Sequence, residues 1–282
     1  MPAIDSLTSP TLKHLREQWW NNEFTQFLVE RLRPRPGNRI LDVGCGEGLA
    51  EVSLGRLQLS QVRLAGIDLF VHKVIQARHE TASHNQRVLL AAADAARLPF
   101  VDASFDSTYC VAVLQHMHEV EAAVSEFARV TRDNGRIVVV EPDNAARYVY
   151  SSTPTGGALF DTAVKLLAAR AEARHESADT AVGPTLAERF TRHGIEPLEV
   201  RVFPVSNAFL GVPPPDVWME RRRAIKDAVQ TVTSDRVATL SREYFDLLDT
   251  YEREATAAGA AFVEIQSTSL FATVGQRLER ES

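Results

Sequence analysis

The stretch RILDVGCGEGLAEVSLGRL, which begins at Arg39, sets one acid, Asp42, inside an apolar run and follows it with Gly44, Gly46 and Gly48. A strand that enters a glycine turn and leaves it as a helix presents main-chain N–H groups and the positive end of a helix dipole. The missing Cβ atoms let a ligand approach the backbone closely. A dinucleotide site would carry G-x-G-x-x-G. Here Leu49 occupies the third glycine position and the glycine falls one residue early, at Gly48, so that fingerprint is not met. Further along, His116, Glu141 and the pair Glu264 and Gln266 are the other side chains whose types could move a proton or hold a polar substrate.

The elements that must position these residues alternate. RILDV, VRLAGIDL, RVLLAAA, SFDSTYCVAVL and GRIVVVE are short apolar segments separated by helical spacings, including Val120, Val124 and Phe127. Strands of this kind form a parallel sheet covered on both faces by helices. After Glu141 the rhythm changes. Phe160, Ala163, Leu166 and Leu167 share one face of a predicted helix. GPTLAERFTRHG reads as a short helix with Thr185 and Glu188 as a capping box and Gly194 as its stop. EPLEVRVFPV is then a strand. Val217 and Trp218 lie in one further helix, and Val237, Leu240, Tyr244, Leu247, Leu248 and Tyr251 mark a long one. AFVEIQSTSLFATVGQR, rich in β-branched residues, is the last strand. Before the sheet, Leu12, Leu15, Trp19 and then Phe24, Phe27, Leu28 and Leu32 predict N-terminal helices.

The glycine stretch closely resembles the cofactor motif of class I S-adenosylmethionine-dependent methyltransferases: an acid, an aliphatic residue and G-x-G-x-G. That cofactor has no phosphate, so its ammonium group calls for an acid. The resemblance implies that Asp42 and the backbone of Gly44, Cys45 and Gly46 supply this environment. It further implies that Asp68, followed by Leu69, accepts from both ribose hydroxyls. Asp94 would accept from the exocyclic amine of the adenine, the N–H of Ala95 would reach the ring, and Val111 would lie under the methionine part. It covers roughly residues 36–142 plus the last two strands, and is nearest to the small-molecule enzymes that include quinone-ring and sterol methyltransferases. It implies an α/β fold with a Rossmann-like seven-stranded sheet, six strands parallel and the last antiparallel, inserted beside the fifth.

That topology predicts the domain plan: an N-terminal helical cap over 1–35, a cofactor-binding core over 36–142, and a helical insertion over 143–183. A core helix and sixth strand over 184–205 follow, then a second helical insertion over 206–260 and the final strand and tail over 261–282. Both insertions leave from the carboxyl edge of the sheet, where open α/β sheets bind ligands. They are therefore expected to form a helical lid that holds the substrate, with Trp19 and Trp20 closing a third side. A dimer interface is the alternative use of the aromatic faces.

An activated sulfonium donor needs its acceptor held in line, about 3–3.5 Å from the methyl carbon. A base matters only where the acceptor must lose a proton. His116, just past the fourth strand, is the first choice for base or substrate contact. Glu141, at the end of the fifth strand, serves either chemistry or loop bracing. Glu264 and Gln266, two apart on a strand, share a face. No metal is expected: Asp143 and Asn144 match one part of a catechol-type magnesium site, but Val111 stands where its other acid would be. Cys45 is expected to pack as a small apolar side chain.

Composition narrows the partners. Of 282 residues, 45% are hydrophobic and 24% charged, as in an ordinary globular chain. Acids outnumber bases 37 to 31, a net charge of −6, which argues against nucleic acid. Two cysteines exclude a disulfide framework and a Cys-based zinc site. MPAIDSLTSP lacks a signal-peptide pattern, and no apolar run approaches the ~18 residues of a membrane span. The expectation is a cytoplasmic enzyme that uses S-adenosyl-L-methionine on a small molecule. The alternatives are a protein or peptide methyltransferase, a non-catalytic binder of the same cofactor, and a nicotinamide-dependent oxidoreductase.

Overall fold

The computed structural model describes residues 20–56, 61–174 and 181–279. The helix predicted around Leu12, Leu15 and Trp19 lies outside the described residues. The first described helix, α1 (Asn22–Leu32), opens where the Asn21 side chain accepts from Phe24 N at 2.9 Å, and buries Phe24, Phe27, Leu28 and Leu32.

There follow β1 (Arg39–Val43), α2 (Leu49–Arg56), β2 (Arg63–Asp68), α3 (Val71–Ser83), β3 (Val88–Ala92) and β4 (Phe105–Val111). A 3₁₀ turn (Leu114–His116) leads to α4 (Val120–Val130) and β5 (Thr131–Ser151). Then come α5 (Pro154–Ala173), α6 (Val182–Arg192), β6 (Ile195–Leu210), α7 (Pro215–Val229), α8 (Asp235–Ala258) and β7 (Val263–Arg277).

The seven strands form one sheet in the order β3-β2-β1-β4-β5-β7-β6. β1, β2, β3, β4 and β5 are joined in parallel, with Val43 opposite both Ile67 and Cys110, Asp68 opposite Ala92, and Val111 opposite Val140. β7 runs the other way. Its start lies beside the end of β6 (Gly211 N to Phe262 O, 2.8 Å), and its end beside the start of β6 (Leu278 N to Gly194 O, 2.9 Å). The burial of Ile40 through Val43 on successive positions is what two covered faces require. β6, on the rim of the sheet, instead alternates between covered and open positions.

The chain divides into two compact units. The larger holds 20–145, 181–203 and 269–279 of the described residues, and its core gathers Leu41, Val43, Ile67, Phe127, Ile137 and Phe190. The smaller holds 146–174 and 204–268. It packs α5, α7 and α8 around Leu166, Trp218, Leu248, Tyr251 and Phe262, with the Trp218 and Tyr251 rings edge to face at 5.7 Å.

Three expectations shift. β5 continues past Glu141 to Ser151, and β6 past Val205 to Leu210, so the stretches expected to open the helical insertions at 143 and 206 are still strand. Pairing decides this: Ser152 N bonds Val263 O at 2.9 Å, a contact between segments far apart in the chain. The helix around Thr185 starts earlier, after Ala181. Thr185 is inside it and donates to Val182 O at 2.9 Å, so it is no cap, while Gly194 (φ +69°) does follow the helix end. In α5 the buried stripe is Leu159, Thr162, Leu166 and Ala169; Phe160 and Ala163 flank it, and Leu167 is exposed.

Candidate functional site

The parallel register brings the carboxyl ends of β1, β2, β3 and β4 to one edge of the larger unit. At the end of β1, Gly44 has φ +86°, and a Cβ placed on it would lie 2.1 Å from Cγ2 of Val113. Only glycine fits there, because both the dihedral and the contact exclude a side chain. Gly46 also has positive φ, +54°, but no atom lies within 4 Å of where its Cβ would be, so the turn is open on that side.

The turn's N–H groups are already committed. Gly44 N and Cys45 N both donate to Ile67 O, at 2.7 and 2.9 Å, and Gly46 N donates to Asp68 Oδ2 at 3.0 Å. A phosphate cradle would need these donors free. Gly44 N, Cys45 N and Gly46 N therefore offer no free donor to a phosphate at that point. Cys45 is buried, as expected, and burial pushes its thiol far up.

Asp68, at the end of β2, is 8% exposed. Its two oxygens accept from Gly46 N and from Phe70 N (2.9 Å), which fixes the carboxylate and leaves a lone pair on each for hydroxyl donors. Leu69 beside it is half exposed. Ala93 N donates to Asp68 O at 3.0 Å, tying the loop after β3 to the end of β2. In that loop Asp94 is exposed and closes a turn by accepting from Ala96 N at 2.9 Å, while Ala95 is buried. Val111 ends β4, half buried. Ala112 after it has φ +57°, a left-handed conformation that costs about 1–2 kcal/mol outside glycine.

Glu141 is fully buried on β5. Its carboxylate accepts from Val113 N (2.8 Å), Leu114 N (2.7 Å) and Gln115 N (3.3 Å). Burial pushes it up to about 7, although the three donors favour the charged form. It braces the turn that carries Val113 against Gly44, the second of the two uses expected of it. His116, half buried, ends the same turn, its N–H bonded to Val113 O at 3.0 Å.

Glu264 belongs to the smaller unit, and its oxygens are fully engaged there. Arg221 grips it with two bonds (2.5 and 3.0 Å), Tyr251 Oη donates at 2.8 Å and Gln266 Nε2 at 2.7 Å. Arg221 is held in turn against the rings of Trp218, Phe160 and Phe209. Such a satisfied network has no oxygen left for chemistry, and its arrangement is that of a structural anchor.

Two residues escaped the sequence reading. Glu51, in the first turn of α2, is turned inward and fully buried, and Tyr109 of β4 is buried beside it and Asp42. An acid at a helix start ordinarily complements the dipole from solvent. Only Gly66, three positions into β2, hinted at space for something bulky opposite it. No group of three or more His, Cys, Asp or Glu converges as a metal site among the described residues. Nor is any described helix long and apolar enough to cross a membrane.

Comparison with known proteins adds the following. A family model described as a methyltransferase domain matches residues 41–139. An O-methyltransferase of Pyrenophora dematioidea is 36% identical over 116 residues, covering 40% of this chain and 43% of the relative. The 27-O-demethylrifamycin SV methyltransferase of Amycolatopsis mediterranei is 32% identical over 148 residues, covering 48% and 53%. The chain therefore spans about half the length of the curated relatives it matches. Among solved structures, geranyl diphosphate methyltransferase in complex with S-adenosylmethionine superposes with a TM-score of 0.54 at 14% identity, over 98% of this chain and 94% of that one, a likeness of fold alone.

Proposed function

We propose, from the premise that this chain carries a class I methyltransferase domain, that it transfers a methyl group from S-adenosylmethionine to an oxygen of a small-molecule acceptor. One observation carries the reading. The glycine turn has spent its N–H groups yet stays open at Gly46, with Asp68 fixed at its side to receive hydroxyls. That arrangement suits a ligand with a ribose and no phosphate.

The bound cofactor would supply a methyl group already activated on a sulfonium. Asp68 would hold the ribose, Asp94 and the Ala95 N–H the adenine, and Asp42 the ammonium group. Val111 would lie under the methionine part. To His116 we assign the proton that a hydroxyl acceptor releases as it is methylated in line. Selection of the acceptor is assigned to the smaller, helical unit, which lies wholly outside the methyltransferase match. We place the protein on small substrates rather than protein side chains because the relatives include a methyltransferase named for a rifamycin.

Calorimetry with S-adenosylhomocysteine and with NAD tests the cofactor. Micromolar or tighter binding of the former is expected, and none of the latter. Asp68→Ala is expected to weaken S-adenosylhomocysteine by more than about tenfold, the loss of charge-assisted bonds to a ribose. An unchanged affinity in that variant would mean the ribose lies elsewhere. Binding without turnover across an acceptor panel would favour the non-catalytic alternative.

A further inference from the structure

Glu51, buried in the larger unit, is used neither by the proposed reaction nor to brace a turn, and its surroundings are unusual. It is 0% exposed, and among the described residues neither of its oxygens has a hydrogen-bond partner. The same is true of Tyr109 Oη. Room for the Glu51 carboxyl comes from Gly66 on β2, where a Cβ would sit 2.5 Å from Glu51 Oε1. Asp42 of β1, 3% exposed, is its immediate electrostatic neighbour. The other titratable groups acting on the two are Asp68 of β2, Tyr109 of β4 and Cys45 of the glycine turn, none of which is a cation. Two buried carboxylates side by side are both acceptors, and they make no hydrogen bond until one of them carries a proton.

We propose that Asp42 and Glu51 share one proton in the free protein, and that the ammonium group of the cofactor displaces it on binding, which makes Glu51 a positioning residue for the cofactor. The proposal rests on the methyltransferase reading above for the identity of the ligand. It also accounts for the orphaned oxygens of Glu51: their partner is a proton in one state and, through Asp42, a cation in the other. Burial raises both carboxyls, Glu51 to about 7 and Asp42, with the charge of Glu51 beside it, well above the ordinary range. Cofactor binding is then linked to proton release, and affinity climbs with pH by up to about tenfold per unit below the pair's titration.

The test is calorimetry of S-adenosylhomocysteine near pH 6.5, a value chosen below about 7.7 so that the ligand amine stays charged. Titrations in buffers of different ionisation enthalpy read the protons released. Wild type is expected to release roughly one proton per ligand. Glu51→Gln, which mimics the protonated acid, should bind without release and with an affinity flat in pH. Methylthioadenosine, which lacks the amino-acid part, should bind to wild type without release, and that comparison stands even if the variant fails to fold. Binding of S-adenosylhomocysteine without release, or equal release from methylthioadenosine or from Glu51→Gln, overturns the shared proton alone. No binding of S-adenosylhomocysteine at all overturns the methyl-transfer reading and this proposal with it.

Discussion

At the scale of single residues, the site is a set of acids whose environments set them apart. Asp68 is pinned by two backbone donors at the edge of the sheet. Asp94 sits in a surface turn. Asp42 and Glu51 are buried together, and Glu141 is buried alone against three N–H groups. None of these has an acceptor to deprotonate as its evident task, and we propose His116 for that role. His116→Ala is expected to lower kcat by about 10²-fold or more, the range of a general base, while leaving the affinity for S-adenosylhomocysteine unchanged. Single-turnover rates beside calorimetry check this. A parallel loss of both would assign His116 to the architecture of its turn.

At the scale of elements, the decisive joint lies between β5 and the turn after β4. Glu141 ties Val113, Leu114 and Gln115 to β5, and Val113 in turn fills the space that Gly44 leaves. Removing the carboxyl orphans buried donors, at about 1–3 kcal/mol for an unsatisfied group. Glu141→Ala should therefore lose on the order of 3 kcal/mol in urea denaturation, whereas Glu141→Gln, which keeps an acceptor for Val113 and Leu114, should lose much less. Equal midpoints for wild type and the alanine variant would show that the turn holds itself. The element level is also where the sequence reading was least complete. A strand's length depends on its neighbours: Pro142, Asp143 and Asn144 look like a strand end, yet β5 runs on to Ser151. Thr185 and Glu188 look like a cap, yet α6 begins three residues earlier, on the apolar contacts of Val182 and Leu186. Tertiary packing outweighs such local preferences.

At the scale of the molecule, buried acids give the stability a definite pH dependence. Burial pushes Glu51 and Glu141 up to about 7 in the folded protein, against an ordinary 4.5. A carboxyl raised on folding binds its proton more tightly in the native state. Its contribution is full below about 4.5 and is lost as the pH rises through 7. Each shift of this size is worth on the order of 3 kcal/mol. Glu121, Glu126 and Glu199 are shifted the opposite way by histidine or arginine partners, and their contributions fade only below 4.5. Denaturation midpoints are therefore expected to fall between about pH 5 and pH 8, and Glu51→Gln should flatten that slope. A midpoint that rises steadily over this interval would contradict the burial of these acids as ionisable groups.

What the sequence determined by itself was the order of the parts and the short-range chemistry. A glycine turn after Asp42, acids at the ends of the next two strands, and helices with clear apolar spacing are local patterns, and local patterns are written in neighbouring residues. The strand order and the reversed last strand followed from the family that those motifs resemble. Only the tertiary structure decided which acids face each other. Glu51 and Asp42 stand nine positions apart on a helix and a strand, and Gly66, on a third element, makes the space they share. Glu264, legible as a strand residue, is claimed by Arg221 from a helix more than forty positions earlier. Burial and charge pairing depend on distances across the fold, and no spacing along the chain encodes those distances.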